Sequence, residues 1–203
     1  MAEIVVVALG DSITAGSPAW DPDPAVRARI GEALDERSQW EWWAAALDPR
    51  LRFRNCGVYG ERTDEIALRL EEAVRGADVL VVQGGINDVA QGRPVEAAAA
   101  DLRAMVRRGL ELGFRVLLAD VLPWNACYPE ADPEIRRLNA LVASVAAEEG
   151  VALLPFHETL EDPAAPGRMS PDWVSDGDHP SVEGYRRLGE LAFQMPQEVR
   201  LLR

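Results

Sequence analysis

The sequence predicts an α/β fold, a three-layer α/β/α sandwich around a five-stranded parallel sheet. Three observations carry this expectation. Five short runs, at 3–9, 51–56, 78–83, 114–120 and 151–154, are apolar nearly throughout, as strands covered on both faces are. Helix-patterned stretches separate the runs, so successive strands are joined by right-handed crossovers with helices on both faces of the sheet. Glycine-rich polar segments follow the first three runs, where a parallel sheet places its chemistry. The expected strand order is 2-1-3-4-5, the flavodoxin-like arrangement. At 203 residues the chain suits one domain with an ample core, and no repeat, low-complexity tract or linker divides it, so residues 1–203 are expected to form a single domain.

The elements follow in chain order. The first run enters Gly10-Asp11-Ser12. Residues 17–37, which contain Pro18, Pro22 and Pro24, read as a long irregular segment. Ser38-Gln39-Trp40-Glu41 has the spacing of a capping box that opens a helix through Leu47. Trp40, Trp42 and Trp43 cannot share one side of that helix, so at least one is expected to reach the site or solvent. A helix over Thr63–Arg75 places Ile66, Leu70 and Val74 on one face. Another over Val95–Leu112 stops at Gly113, a C′ glycine. Asp132-Pro133 reads as N-cap and N1 of a helix that ends near Gly150. Residues 161–175 form the second irregular stretch, and Ser181 starts the last helix.

Composition excludes whole classes of function. A formal net charge of −13 opposes nucleic acid and anionic membrane surfaces, both of which require a basic footprint. All 21 basic residues are arginine, which removes P-loop, Schiff-base and pyridoxal-anchoring lysines. Cys56 and Cys127 read as unpaired thiols. No basic N-terminal region precedes the first apolar run, and nothing approaches the roughly 18 apolar residues of a membrane span, so a cytoplasmic location without membrane insertion is expected.

Chemistry-bearing residues gather at three strand ends that the expected order makes neighbours. Ser12 follows the first strand, Asn55-Cys56-Gly57-Val58-Tyr59-Gly60 the second, and Gly84-Gly85-Ile86-Asn87-Asp88 the third. The Ser12 and Gly57 backbone N–H groups and the Asn87 amide are thereby expected to surround a developing oxyanion. The chain has two histidines. His157 has no matching carboxylate beyond its neighbour and reads as structural or solvent-facing. His179 has Asp176 three residues earlier, which suits a carboxylate that holds Nδ1–H and aims Nε2 at a serine. Asp178 reads as a turn residue. Asp11 and the loop residues Trp20, Trp124 and Trp173 are candidates for the substrate pocket. Gly-x-Ser-x-Gly, Gly-x-Gly-x-x-Gly and a metal-binding histidine pair are absent.

Four blocks in order then resemble the SGNH, or GDSL-type, hydrolases. Gly10-Asp11-Ser12-Ile13 is similar to the Gly-Asp-Ser-Leu block, and Gly57 stands for the family glycine. Gly85-Ile86-Asn87-Asp88 matches Gly-x-Asn-Asp, and Asp176-x-x-His179 matches Asp-x-x-His. The resemblance spans residues 10 to 180. It implies a three-layer fold and a cofactor-free, metal-free hydrolase with Ser12, His179 and Asp176 as its triad, acting on a small-molecule ester. Family members include esterases, lipases, thioesterases, lysophospholipases and sugar deacetylases, and the size is most similar to the bacterial thioesterase/lysophospholipase-like branch. Short- to medium-chain acyl esters are the expected substrates, lysophospholipids and acyl thioesters included. Carbohydrate O-deacetylation and acyl transfer to an alcohol use the same residues, and a catalytically idle α/β binding module is the rival from another class.

Overall fold

Along the first strand, Val6 and Ala8 point to one side and Val7 and Leu9 to the other, so both sides need apolar cover. The computed structural model describes residues 3–128 and 130–194 and supplies that cover. Residues 1, 2, 129 and 195–203, which the expected domain includes, lie outside the described residues. Strands β1 (Ile4–Gly10), β2 (Leu51–Gly57), β3 (Val79–Val82), β4 (Arg115–Ala119) and β5 (Ala152–Leu154) form one parallel sheet in the order β2-β1-β3-β4-β5, as the sequence predicts. The α-helices are α1 (Ser12–Ala15), α2 (Pro24–Ile30), α3 (Trp40–Leu47), α4 (Thr63–Leu68), α5 (Leu70–Ala73), α6 (Ile86–Ala90), α7 (Val95–Glu111), α8 (Ala131–Glu149), α9 (Phe156–Leu160) and α10 (Val182–Arg187), with a 3-10 turn at Gly31–Ala33 and a π-helical turn at Leu188–Ala192.

The two sheet faces build separate cores. Val7, Leu9, Leu80, Val82 and Leu118 pack with Ile66, Leu70, Leu102 and Leu138 from the α4, α5, α7 and α8 layer. Val6, Ala8, Val81 and Ala119 pack with Trp40, Phe156, Tyr185 and Leu188 from the opposite layer. Trp40 anchors the second core: it is fully buried, with edge-on ring contacts to Phe53 at 5.5 Å and Phe156 at 5.8 Å. Trp42 reaches solvent from the same helix, as the expected crowding of three indoles requires.

Several local expectations are corrected. No capping box opens α3: its N-cap is Gln39, without a side-chain cap bond. Glu41 faces inward instead, 2% exposed, and neither carboxyl oxygen has a hydrogen-bond partner. Burial therefore holds that carboxyl well above the ordinary carboxylate range. Helix α8 starts one residue before Asp132, with Glu130 as its N-cap. Pro133 is accommodated there because the first-turn N–H groups have no intrahelical acceptor, and Asp132 pairs with Arg136 one turn on at 3.0 Å. The 63–75 helix is broken at Arg69 into α4 and α5, with Ile66, Leu70 and Val74 still buried together. The first irregular stretch contains α2, N-capped by Asp23 with Pro24 at its start. The second contains a hairpin of β6 (Glu161–Asp162) and β7 (Ala165–Met169). Gly113 follows α7 with φ 88°, and Ser181 Oγ caps α10 by accepting from Gly184 N at 3.2 Å, both as expected. Cys56 and Cys127 are free thiols. No helix among the described residues is long and apolar enough to cross a membrane.

Candidate active site

The carboxyl ends of β1, β2 and β3 are adjacent, so the chain leaving each turns into a common edge. At β1, Asp11 caps α1: its Oδ1 accepts from Ile13 N at 2.9 Å, while its own N–H donates to Gln83 Oε1 at 3.3 Å. Thr14 Oγ1 donates to the same Gln83 oxygen at 2.8 Å, which ties α1 to the end of β3. Ser12 is thereby fixed as the first residue of α1, only 4% exposed. Its N–H has no protein acceptor among the described residues.

At β2, Asn55 organises the turn. Its Nδ2 donates to Thr14 O at 2.7 Å and Ala15 O at 3.3 Å, and its Oδ1 accepts from Gly57 N at 2.9 Å. This corrects the expectation for Gly57, whose N–H is taken by that side chain. The residue must be glycine for a different reason: a Cβ there would lie 2.1 Å from Ala15 N, because α1 lies directly on the strand. Three residues on, Gly60 adopts φ +80°, and its N–H has no protein acceptor among the described residues.

At β3, the chain enters α6 with Asn87 as its second residue. Asn87 Nδ2 donates to Glu61 O at 2.9 Å, next to Gly60. An amide carries two hydrogens, so one orients the side chain and the other stays available. Helix α6 is clamped to α4 by the fully buried Asp88, which accepts from Thr63 N and Oγ1, both at 2.9 Å, and from Arg93 at 2.5 Å.

The Asp176–His179 loop closes on itself by a bridge between Val174 and Pro180 and by Ser175 N donating to His179 O at 2.9 Å. Asp176 Oδ1 accepts the N–H groups of Asp178 and His179 at 3.0 and 2.9 Å, and its Oδ2 lies 2.9 Å from His179 Nδ1. His179 Nε2 lies 3.0 Å from Ser12 Oγ. Partial burial pushes the Asp176 carboxyl up, but the His179 ring and the two loop N–H groups outweigh it and lower its pKa. Serine, imidazole and carboxylate thus form one hydrogen-bonded chain, the connectivity that proton transfer from a serine hydroxyl requires.

A cleft of about 130 Å³ opens on this chain, lined by Ser12, Asn87 and His179 with Ile13, Ile86, Ala90, Tyr59, Trp124 and Asp178. Of the expected pocket residues, Trp124 lines it. Trp20 stacks instead under Arg27, its ring 4.8 Å from the guanidinium, and Trp173 under Arg187 at 3.8 Å. Asp11 lies beneath the cleft, fully buried. Asp178 does more than turn the chain, since it accepts from Trp124 Nε1 at 2.5 Å. Sequence reasoning missed Tyr59, whose exposed ring lies 5.8 Å from that of His179, and its place beside Gly60 was the signal. His157 is structural: Nδ1 meets Val121 O at 2.9 Å, and the side chain is 12% exposed. Among the described residues, no three His, Cys, Asp or Glu side chains group to hold a metal ion.

Asp11 has a pH signature. Burial raises its pKa to about 6, against the Ile13 hydrogen bond that lowers it, and Oδ2 has no partner. A carboxyl raised on folding favours the native state fully below the unfolded value of 3.8 and loses that advantage as pH rises toward 6. The loss is on the order of 3 kcal/mol. Asp11→Asn keeps an acceptor for Ile13 N and removes the ionisation. Its Tm relative to wild type is expected to rise between pH 4 and 6 and stay higher at pH 8. An unchanged difference across that range would contradict the assignment.

Residues 8–187 match the profile of the GDSL-like lipase/acylhydrolase family. Similar solved structures include a candidate lipolytic protein of the G-D-S-L family from Desulfitobacterium hafniense DCB-2, 22% identical, covering 93% of this chain and 97% of that one with TM-score 0.76. A GDSL-like lipase from Bacteroides thetaiotaomicron VPI-5482 is 21% identical, covering 92% and 84% with TM-score 0.71. A form of Axe2, an acetyl xylan esterase from Geobacillus stearothermophilus, is 19% identical, covering 93% and 92% with TM-score 0.67. At these identities the likeness is one of fold. No curated protein matches the chain.

Proposed function

The chain belongs to the GDSL-like lipase/acylhydrolase family, and from that premise we propose that it hydrolyses carboxylic esters of short- to medium-chain acyl groups through an acyl-enzyme. The observation that carries the proposal is the 3.0 Å approach of His179 Nε2 to Ser12 Oγ, with Asp176 2.9 Å from Nδ1. Ser12 Oγ attacks the ester carbonyl while His179 Nε2 takes its proton. Asp176 holds Nδ1–H and stabilises the imidazolium that forms. The carbonyl oxygen, now an oxyanion, is met by Ser12 N–H, by the free hydrogen of Asn87 Nδ2, and by Gly60 N–H in place of Gly57. The tetrahedral centre collapses, the C–O bond to the alcohol breaks, and His179 returns the proton to the departing oxygen. Water then attacks the acyl-Ser12 ester with His179 again as base, which releases the carboxylic acid and restores the serine.

Charge narrows the substrate. No cleft residue is a lysine or arginine, and the chain carries −13, so polyanionic acyl carriers meet an unfavourable field. Sugar O-deacetylation is the second reading. The exposed Tyr59 ring beside polar Asn87 and Asp178 favours it. A panel of p-nitrophenyl esters beside acetylated sugars, with Ser12→Ala as blank, separates the two. Higher kcat/KM on the simple esters is expected, and a preference for the sugars would replace the first reading with the second.

A further inference from the structure

The cleft ends at an aromatic wall. Trp124 and Tyr128 meet edge to face with ring centroids 5.9 Å apart. Both rings are anchored at their polar ends. Trp124 Nε1 donates to Asp178 Oδ1 at 2.5 Å, and the Tyr128 hydroxyl donates to Val89 O at 2.8 Å. The loop beneath them is held as well, since Asn125 N and Ala126 N both donate to Gly177 O, at 3.0 and 2.9 Å. Asn125 also exchanges two hydrogen bonds with Met169 of the β6–β7 hairpin. The wall therefore stands on the loop that carries Asp176 and His179.

Beside it lies a second hollow of about 170 Å³, lined by Val89, Pro94, Val95 and Tyr128 together with Arg93 and Glu134. Neighbouring residues line the two spaces: Ala90 and Trp124 face the cleft, while Val89 and Tyr128 face the hollow. Resting on the esterase reading above, we propose that the Trp124–Tyr128 pair, held by Asp178 and by Val89 O, is a partition that ends the acyl site and makes Asp178 and Trp124 the determinants of acyl length.

The acyl chain belongs on this side because the apolar lining, Ile13, Ile86, Ala90 and Trp124, is here. The departing alcohol takes its proton from His179, whose ring faces the exposed Tyr59 ring 5.8 Å away. Size sets the limit. A cavity of about 150 Å³ holds one benzene ring, so a cleft of about 130 Å³ in all holds at most roughly six carbon-sized atoms. Acetyl to hexanoyl groups fit, and longer chains meet the indole.

The test is kcat/KM for p-nitrophenyl esters from C2 to C12, with the leaving group constant, in wild type, Trp124→Ala, Tyr128→Ala and Asp178→Asn. Each methylene that a pocket takes or rejects is worth about tenfold or more, so wild type is expected to peak between C2 and C6 and fall at least about tenfold by C10. Trp124→Ala opens the way to the hollow and raises the C10/C2 ratio by about tenfold or more. Tyr128→Ala, at an exposed ring where folding is not at stake, raises it in the same direction. Asp178→Asn weakens the hold on the indole, so it raises the ratio by less and acts through KM and not through kcat. A wild-type peak at C8 or beyond, or an unchanged ratio in both Trp124→Ala and Tyr128→Ala, overturns the partition. If Ser12-dependent hydrolysis persists with that ratio unchanged, only the partition fails. If wild type hydrolyses no ester and takes no fluorophosphonate adduct, the esterase reading fails and the partition with it.

Discussion

Ser12→Ala is expected to lower kcat on p-nitrophenyl acetate by about 10⁵- to 10⁶-fold, with the fold and Tm retained. The size follows from the route. Without Oγ no acyl-enzyme forms, and His179 is left to activate water with no nucleophile in place at 3.0 Å. Substrate binding and the oxyanion donors survive the change, so a residual rate of about 10³- to 10⁴-fold over the uncatalysed reaction is expected to remain. His179→Ala is expected to lose about as much, and the double variant no more than either single one, because the two side chains act in one proton transfer. Steady-state kinetics on the three proteins measure this. Losses that multiply would mean that serine and histidine work independently.

Asn87→Ala is expected to cost about 10²- to 10³-fold in kcat with little change in KM, since the oxyanion exists only in the transition state. A structural loss would look different. Asn87 Nδ2 also holds Glu61 O at 2.9 Å, so a displaced Tyr59–Glu61 turn would raise KM as well. KM therefore separates the two effects, and Asn87→Asp adds to the kinetic one, because it replaces a donor with an anion facing the oxyanion. It is expected to be slower than Asn87→Ala. Equal kcat in both variants would remove Asn87 from the oxyanion site.

The sheet was legible because doubly covered parallel strands must be apolar on both sides, and Val6, Val7, Ala8 and Leu9 show this without any tertiary knowledge. Three of the four site blocks were legible for a related reason, since chemistry at a parallel sheet's edge follows the strands directly; the fourth, Asp176–His179, showed itself by the spacing of its carboxylate and imidazole. What escaped depends on contacts between distant segments. That Gly57 N–H is occupied requires knowing that α1 folds back on β2 and that Asn55 bridges them. Trp20 and Trp173 look in sequence like Trp124, yet each stacks under an arginine, and nothing local marks the difference. Helices of four or five residues such as α1, α6 and α9 are too short for a 3.6-residue period to register. Glu41 has the spacing of a capping residue, and only the packing of α3 turns it inward.

The central claim is that Ser12 is a nucleophile activated by His179. Intact-mass and peptide mass spectrometry after incubation with a fluorophosphonate test it most directly. One adduct per wild-type chain on the peptide carrying Ser12 is expected, with none in Ser12→Ala and labelling slowed by orders of magnitude in His179→Ala. No adduct on wild type, or an adduct on another residue that persists in Ser12→Ala, would contradict it.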